Sequence, residues 1–386
     1  KGWVDLGTSA TVLPFLSSSL CPQTAMTSRN ISRNVGFEDT HIDVGEGLDF
    51  KASVDATTTA EDKVDATGDA HAIAGTEAQV AVLDSTIAVG KDANLAAIET
   101  GTVKASAETT SGDATAEAHN MGPTGGFIDR QHRFGLTADG PVSHEPKADI
   151  SIGTSGVITA TLTNAAAADA TAVGGRADAS ADTGRVAGFR NVGITAGEGS
   201  SLITSVAGSM AATATAVGAS THGASGDAFA DAGSHDSSLV GIEAEHQAGE
   251  MAIAFGRTAL IRSDVTGEMA ATSTTVTGRS DADTRADLVA GIAMGAGRHG
   301  MASEAPAAEP PATAPADTTA AAPAPGSPPS PESPDHGKPS GGLVISLGEG
   351  GALRATAQLT ADATAETVTG PVQARVGIDK IGRAHV

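Results

Sequence analysis

Gly112-Asp113-Ala114-Thr115-Ala116-Glu117-Ala118 is the stretch on which the reading of this chain turns. Alanine takes every second position and polar residues fill the gaps. Successive side chains of a β-strand point to opposite faces, so this alternation makes one small apolar face and one polar face. A helix would need apolar residues at i, i+3 and i+4, and that stripe is missing. Alanine favours helices intrinsically. However, Gly or Thr clusters interrupt the runs, and the many Thr, Val and Ile residues favour strand.

The same element recurs along the chain. It reads Gly68-Asp69-Ala70-His71-Ala72, then Gly175-Arg176-Ala177-Asp178-Ala179, then Gly226-Asp227-Ala228-Phe229-Ala230. Gly278-Arg279-Ser280-Asp281-Ala282 and the degenerate Gly370-Pro371-Val372-Gln373-Ala374 follow. A second motif, Ile-x-apolar-Gly with Leu or Val shortly after, ends at Gly45, Gly90, Gly153, Gly197, Gly256 and Gly348. A third marker closes most copies, as in Val186-Ala187-Gly188-Phe189 and Leu239-Val240-Gly241-Ile242.

Spacing turns these motifs into an architecture. From each glycine of the second motif to the next marker glycine the steps are 23, 22, 22, 29, 22 and 22 residues, and Gly68 to Gly90 is again 22. A glycine marks a corner where the backbone bends sharply or approaches closely. The expected fold is therefore all-β: a parallel β-helix, or β-solenoid, with coils of ~22 residues and two coils per ~44-residue repeat. Leucine-rich repeats have a similar period, but their L-x-x-L-x-L signature is absent.

Repeats are expected at residues 34–128 (two copies), 149–302 (three copies) and 342–380 (a truncated sixth). Residues 1–33 share nothing with them, hold the lone Trp3 and Cys21, and read as a non-repeat, artefactual segment. Residues 129–148 read as an inserted loop carrying His132 and His144. Residues 303–341 hold 11 of the 17 prolines and read as a disordered linker. Residues 381–386 resemble the translation of a sequencing adapter and are excluded from fold reasoning.

Composition narrows the function. In 386 residues, 46 acidic side chains face 23 basic ones, a net charge of −23. Nucleic acid needs Lys and Arg against its phosphates, so it is not an expected partner, and neither is an anionic lipid surface. No apolar run reaches the ~20 residues of a membrane span. One cysteine builds no disulfide framework within the chain. There is no Tyr and aromatics are 2% of the chain, which argues against the sugar platforms of a polysaccharide enzyme. No phosphate-cradling loop or paired-histidine motif is present, so no catalytic residue is assigned and no enzyme is expected.

Two patterns invite a ligand. Asp69, Asp113 and Asp227 follow the marker glycine in different copies, and a carboxylate ladder of that kind would suit calcium, which prefers oxygen ligands. Asp after Gly also completes turns routinely, and Arg176, Arg279 and Pro371 replace it elsewhere. No other cofactor is expected. Thr159, Thr161 and Thr163, with Thr272, Thr274 and Thr277, would form outward rows of the sort that could meet ice, although Thr is a common exposed strand residue.

The Ile-x-Val-Gly elements, alternating-Ala strands and Val-x-Gly-Ile closures resemble the large β-strand-repeat surface proteins of bacteria, of the filamentous-haemagglutinin-like or adhesin-like kind. That resemblance covers about residues 34–379, less the insertions. It implies a non-catalytic structural or adhesive region of a large secreted or cell-surface protein, outside a bacterial cell. A surface glycan or protein would be its partner, and the solenoid could self-associate along its axis. A calcium-binding or polysaccharide-acting β-helix and an ice-binding solenoid are the alternatives.

Overall fold

The alternating face can be buried only by stacking one strand on another, and the chain does this by returning under itself. A computed structural model describes residues 3–12, 26–129, 136–137, 140–141, 149–218, 226–234, 236–245, 250–295 and 342–381. Among these residues there is no helix. All strand pairs are parallel except a two-residue pairing of Leu136–Thr137 with Gly140–Pro141. Apart from Asp129 and these four residues, the expected 129–148 loop lies outside the described residues, as does the whole of 303–341.

One turn is well represented by the second. A short strand, Thr86–Val89, leads through a glycine corner into a long strand, Asn94–Ser111. A second corner leads into a third strand, split into Ala114–Asn120 and Thr124–Ile128. Stacked turns give a six-stranded short sheet, a seven-stranded long sheet and a ten-stranded third sheet. Trp3–Val12 pairs with Asp49–Thr67 at the start of the long sheet, and Met26–Glu38 pairs with Ala70–Leu83 in the third.

The coil is longer than the glycine spacing suggests. Asp49 lies opposite Asn94, 45 residues on; Val157 lies opposite Ser201 and Ala70 opposite Ala114, each 44 residues on. No described strand pairs with one 22 residues away. The ~44-residue repeat is therefore one turn and not two. The comb of glycines marks two different corners of the same turn, half a turn apart. The two motifs differ because the corners differ.

Each corner has its own reason for glycine. At Gly90 a β-carbon would stand 2.6 Å from the Glu46 amide nitrogen of the turn before. At Gly112, with φ 140°, it would stand 2.2 Å from the Gly68 carbonyl oxygen. Two residues after each glycine of the Gly90 kind the backbone is left-handed, with φ between 55° and 76° at Gly47, Asp92, Ser155, Gly199, Thr258 and Gly350.

Inside, side chains stack in columns set by the register. Leu95, Ile158, Leu202 and Ile261 lie over one another at the start of the long sheet, each at most 1% exposed. Ala60, Ala105, Ala168, Ala212 and Ala271 form a second column. Each buried Leu or Ile contributes roughly 1.5–3 kcal/mol, and the alanines let the sheets approach closely. Phe127 and Phe189, paired neighbours on the third sheet, stack with centroids 4.8 Å apart. Interior hydroxyls bond across turns, as Thr204 Oγ1 to Ser263 Oγ at 2.7 Å.

The turn length can be checked chemically. In a Cys21→Ser background, Lys51→Cys with Ala96→Cys should close a disulfide, because these positions are cross-turn neighbours and stacked strands lie ~4.8 Å apart. Lys51→Cys with Ile73→Cys, 22 residues apart in sequence, should stay reduced. Peptide mapping by mass spectrometry reads both; closure of the second pair and not the first would restore the shorter coil.

Candidate functional site

The corner between the long and third sheets brings the three expected aspartates into one column. From turn to turn that column reads Asp69, Asp113, Arg176, Asp227, Arg279 and Pro371. Arg176 stands between Asp113 and Asp227, so the carboxylates form no continuous ladder. Their oxygens also have work within the backbone. The Asp113 amide donates to Asp69 Oδ1 at 2.9 Å, the Arg176 amide to Asp113 Oδ1 at 2.8 Å, and the Arg279 amide to Asp227 Oδ1 at 2.7 Å. Each aspartate thus satisfies an amide of the turn stacked on it. No group of three or more His, Cys, Asp or Glu suited to a metal occurs among the described residues.

Beside this corner, the outward face of the third sheet carries a charged ridge. Arg176 and Arg279 flank the Phe229 ring, with guanidinium carbons 4.3 Å and 5.7 Å from its centroid. Arg176 Nε bonds Asp178 Oδ1 at 2.9 Å, and Arg279 pairs with Asp281. Asp178, Phe229 and Asp281 are successive members of one outward column; Ser180, Asp231 and Asp283 form the next. Partial burial raises the Asp231 carboxyl, with Asp283, Asp178 and Asp281 adding like-charge repulsion. Burial likewise raises Asp178, against the pull of Arg176. The ridge is an acidic surface with an aromatic centre, able to meet a polar or cationic partner.

On the far half of the third sheet the outward face is buried too. Val80, Leu83 and Ile128 cluster there, each at most 1% exposed. The same face holds an ion cluster. Arg190 Nε donates to Glu243 Oε2 at 2.7 Å and Arg185 Nη2 to Glu243 Oε1 at 2.5 Å. Burial alone would raise the Glu243 carboxyl, but the two guanidiniums together outweigh it and hold it low.

Three of the insertions share a place. Residues 130–148, 246–249 and 296–341 all fall between a strand of the third sheet and the next strand of the short sheet. The pairing resumes in register after each: the step from Asn94 to its partner Val157 is 63 residues, from Ser201 to Leu260 it is 59, and from Leu260 to Ala352 it is 92. Compared with 44–45 elsewhere, the surplus of the 63- and 92-residue steps falls at that corner, whereas the 59-residue step gains 7 of its 15 extra residues between Ala216 and Ala228, where the long sheet hands over to the third.

Sequence reasoning did not single out Glu99, the least conventional residue inside. It is 1% exposed and accepts a 2.7 Å bond from Asn164 Nδ2 to its Oε2. Burial pushes its pKa up from the ordinary 4.5 to about 8, the Asn164 bond pulling it partly back. The signal was in the alternation: Leu95, Ala97 and Val103 point inward, and position 99 shares their phase.

The fold and these sites set the frame for comparison with known proteins. No family model matches the chain, and neither does any curated protein or solved structure. No helix of the described residues is long and apolar enough to cross a membrane.

Two outcomes follow from the geometry. Asp113→Ala leaves the Arg176 amide without its acceptor and should cost about 1 kcal/mol by denaturant unfolding, with Asp113→Asn costing less. For Glu99, the folded chain keeps a proton that the unfolded chain has lost between pH 4.5 and about 8. Stability should therefore fall as pH rises through that window and level off above it. Glu99→Gln should flatten this component of the slope and raise stability near pH 8 by roughly 2–4 kcal/mol. Melting the two proteins across the range, in a buffer without metal cations, checks the sign.

Proposed function

We propose that this chain is a non-catalytic structural and adhesive section of a large secreted or cell-surface protein, a stalk that displays surface groups and inserted segments. The observation that carries this reading is that strand pairing resumes in register after every insertion. Segments of very different length interrupt the chain, three of them between the third and short sheets, while the strands before and after them keep register. A scaffold with that tolerance can carry variable segments between its strands without losing its core. The Asp69, Asp113 and Asp227 carboxylates serve the backbone, which supports a structural role for the corner. The acidic ridge around Phe229, with its guanidinium and carboxylate groups, suits a polar surface partner such as a glycan or a protein.

A second reading, ice binding, has one observation in its favour. Thr171, Thr215 and Thr274 stack in register on the long sheet's outer face, beside Thr213, Thr272 and Thr364. Thermal hysteresis of a frozen solution distinguishes it: a stalk leaves the freezing point unshifted beyond the colligative effect.

The stalk reading is tested by replacing residues 303–341 with a short Gly-Ser linker. The melting temperature should change by no more than a few degrees, since loop length enters stability only logarithmically. Retention of bacteria displaying the chain on glycan-coated and protein-coated surfaces should depend on the ridge and the inserted segments. Release of new reducing ends from a polysaccharide by the purified chain would contradict a non-catalytic role.

A further inference from the structure

Among the described residues the solenoid interior holds a polar knot in which several atoms lack a hydrogen-bond partner. Gln79 is 0% exposed, Thr124 0%, Glu99 1% and Asn164 1%. They come from three successive turns: Gln79 from the first full turn, Glu99 and Thr124 from the second, Asn164 from the third. Gln79 and Thr124 are cross-turn neighbours on the third sheet, while Glu99 and Asn164 are bonded on the long sheet. Gln79 reaches across to Gly101. A β-carbon on Gly101 would stand 2.2 Å from Gln79 Nε2 and 2.5 Å from Asn164 Oδ1, so only glycine leaves room for both.

Five atoms of this knot have no hydrogen-bond partner among the described residues: Gln79 Oε1 and Nε2, Glu99 Oε1, Asn164 Oδ1 and Thr124 Oγ1. A buried polar atom left alone is costly, and five in one place mark a missing partner. Four of them are oxygens. From this we propose that Gln79, Glu99, Thr124 and Asn164 form an internal site for one hard monovalent cation of the sodium kind, clamping three turns together.

The charge decides the valence. Glu99 is the one carboxylate of the knot, and only burial and Asn164 act on it appreciably. A monovalent cation neutralises it. A divalent ion would leave an uncompensated positive charge in a dry interior, which is strongly unfavourable. Side-chain amide, hydroxyl and carboxylate oxygens are the donors that hard cations take, and soft metals are disfavoured by the absence of sulfur or imidazole in the set. A guest bound only in the folded state stabilises it by mass action.

The test uses the whole chain, dialysed free of sodium and melted at fixed, mildly alkaline pH. Sodium chloride and tetramethylammonium chloride are compared at equal ionic strength. The melting temperature should be several degrees higher in sodium. Glu99→Gln and Gln79→Leu should each remove the difference. Equal melting of the unsubstituted chain in both salts would overturn the cation and leave water as the partner of these atoms. A difference that survives Glu99→Gln would place the cation elsewhere, on the outer carboxylates. Should the variants fail to fold, sodium-23 NMR relaxation on the unsubstituted chain decides: one saturable site supports the proposal, and a purely linear response contradicts it.

Discussion

The structure depends on each turn handing its backbone to the turn beneath it. Alanine supplies much of the interior, and an alanine buries little apolar surface. The parallel ladder of amide-to-carbonyl bonds must then carry more of the specification than in a protein with a large aromatic core. Each such bond adds only about 0.5–1.5 kcal/mol net, but the long sheet repeats them over strands of 16–19 residues. Close approach is what makes the ladder continuous, and it explains the corners. A side chain at Gly90 or Gly112 would push successive turns apart at the very point where they must touch.

Much of this was legible in the sequence, for a physical reason. Alternation of Ala with polar residues is a direct image of strand geometry, so the Ala114–Asn120 strand and its neighbours follow from the letters. The turn length was not legible in the same way. Gly90 and Gly112 are both forced by close approach, and spacing alone cannot say whether two such glycines are one corner met twice or two corners met once. The difference between their surroundings, Ile-x-Val before one and Asp-Ala-x-Ala after the other, is the feature that distinguishes them. Only the register, with Asp49 opposite Asn94, decides.

The sites divide along the same line. Asp69, Asp113 and Asp227 repeat with the period, so the sequence finds them, and the structure gives them to the backbone amides of the stacked turn. Glu99, Gln79 and Asn164 do not repeat. They meet because three turns stack, across separations of 20 and 65 residues that no local pattern links. Arg185 and Glu243, 58 residues apart, are hidden for the same reason. In a repeat protein the periodic residues build the rod, and departures from the period are where individual chemistry enters.

The central claim is that one turn takes about 44 residues, and a distance measurement addresses it most directly. Lys51 and Arg354 belong to one outward column of the long sheet, five turns apart. Spin labels on cysteines placed there, in a Cys21→Ser background, should report a backbone separation of about 24 Å by pulsed electron resonance, five steps of ~4.8 Å. A separation near twice that, about 48 Å, would mean coils of half the length and would contradict the account.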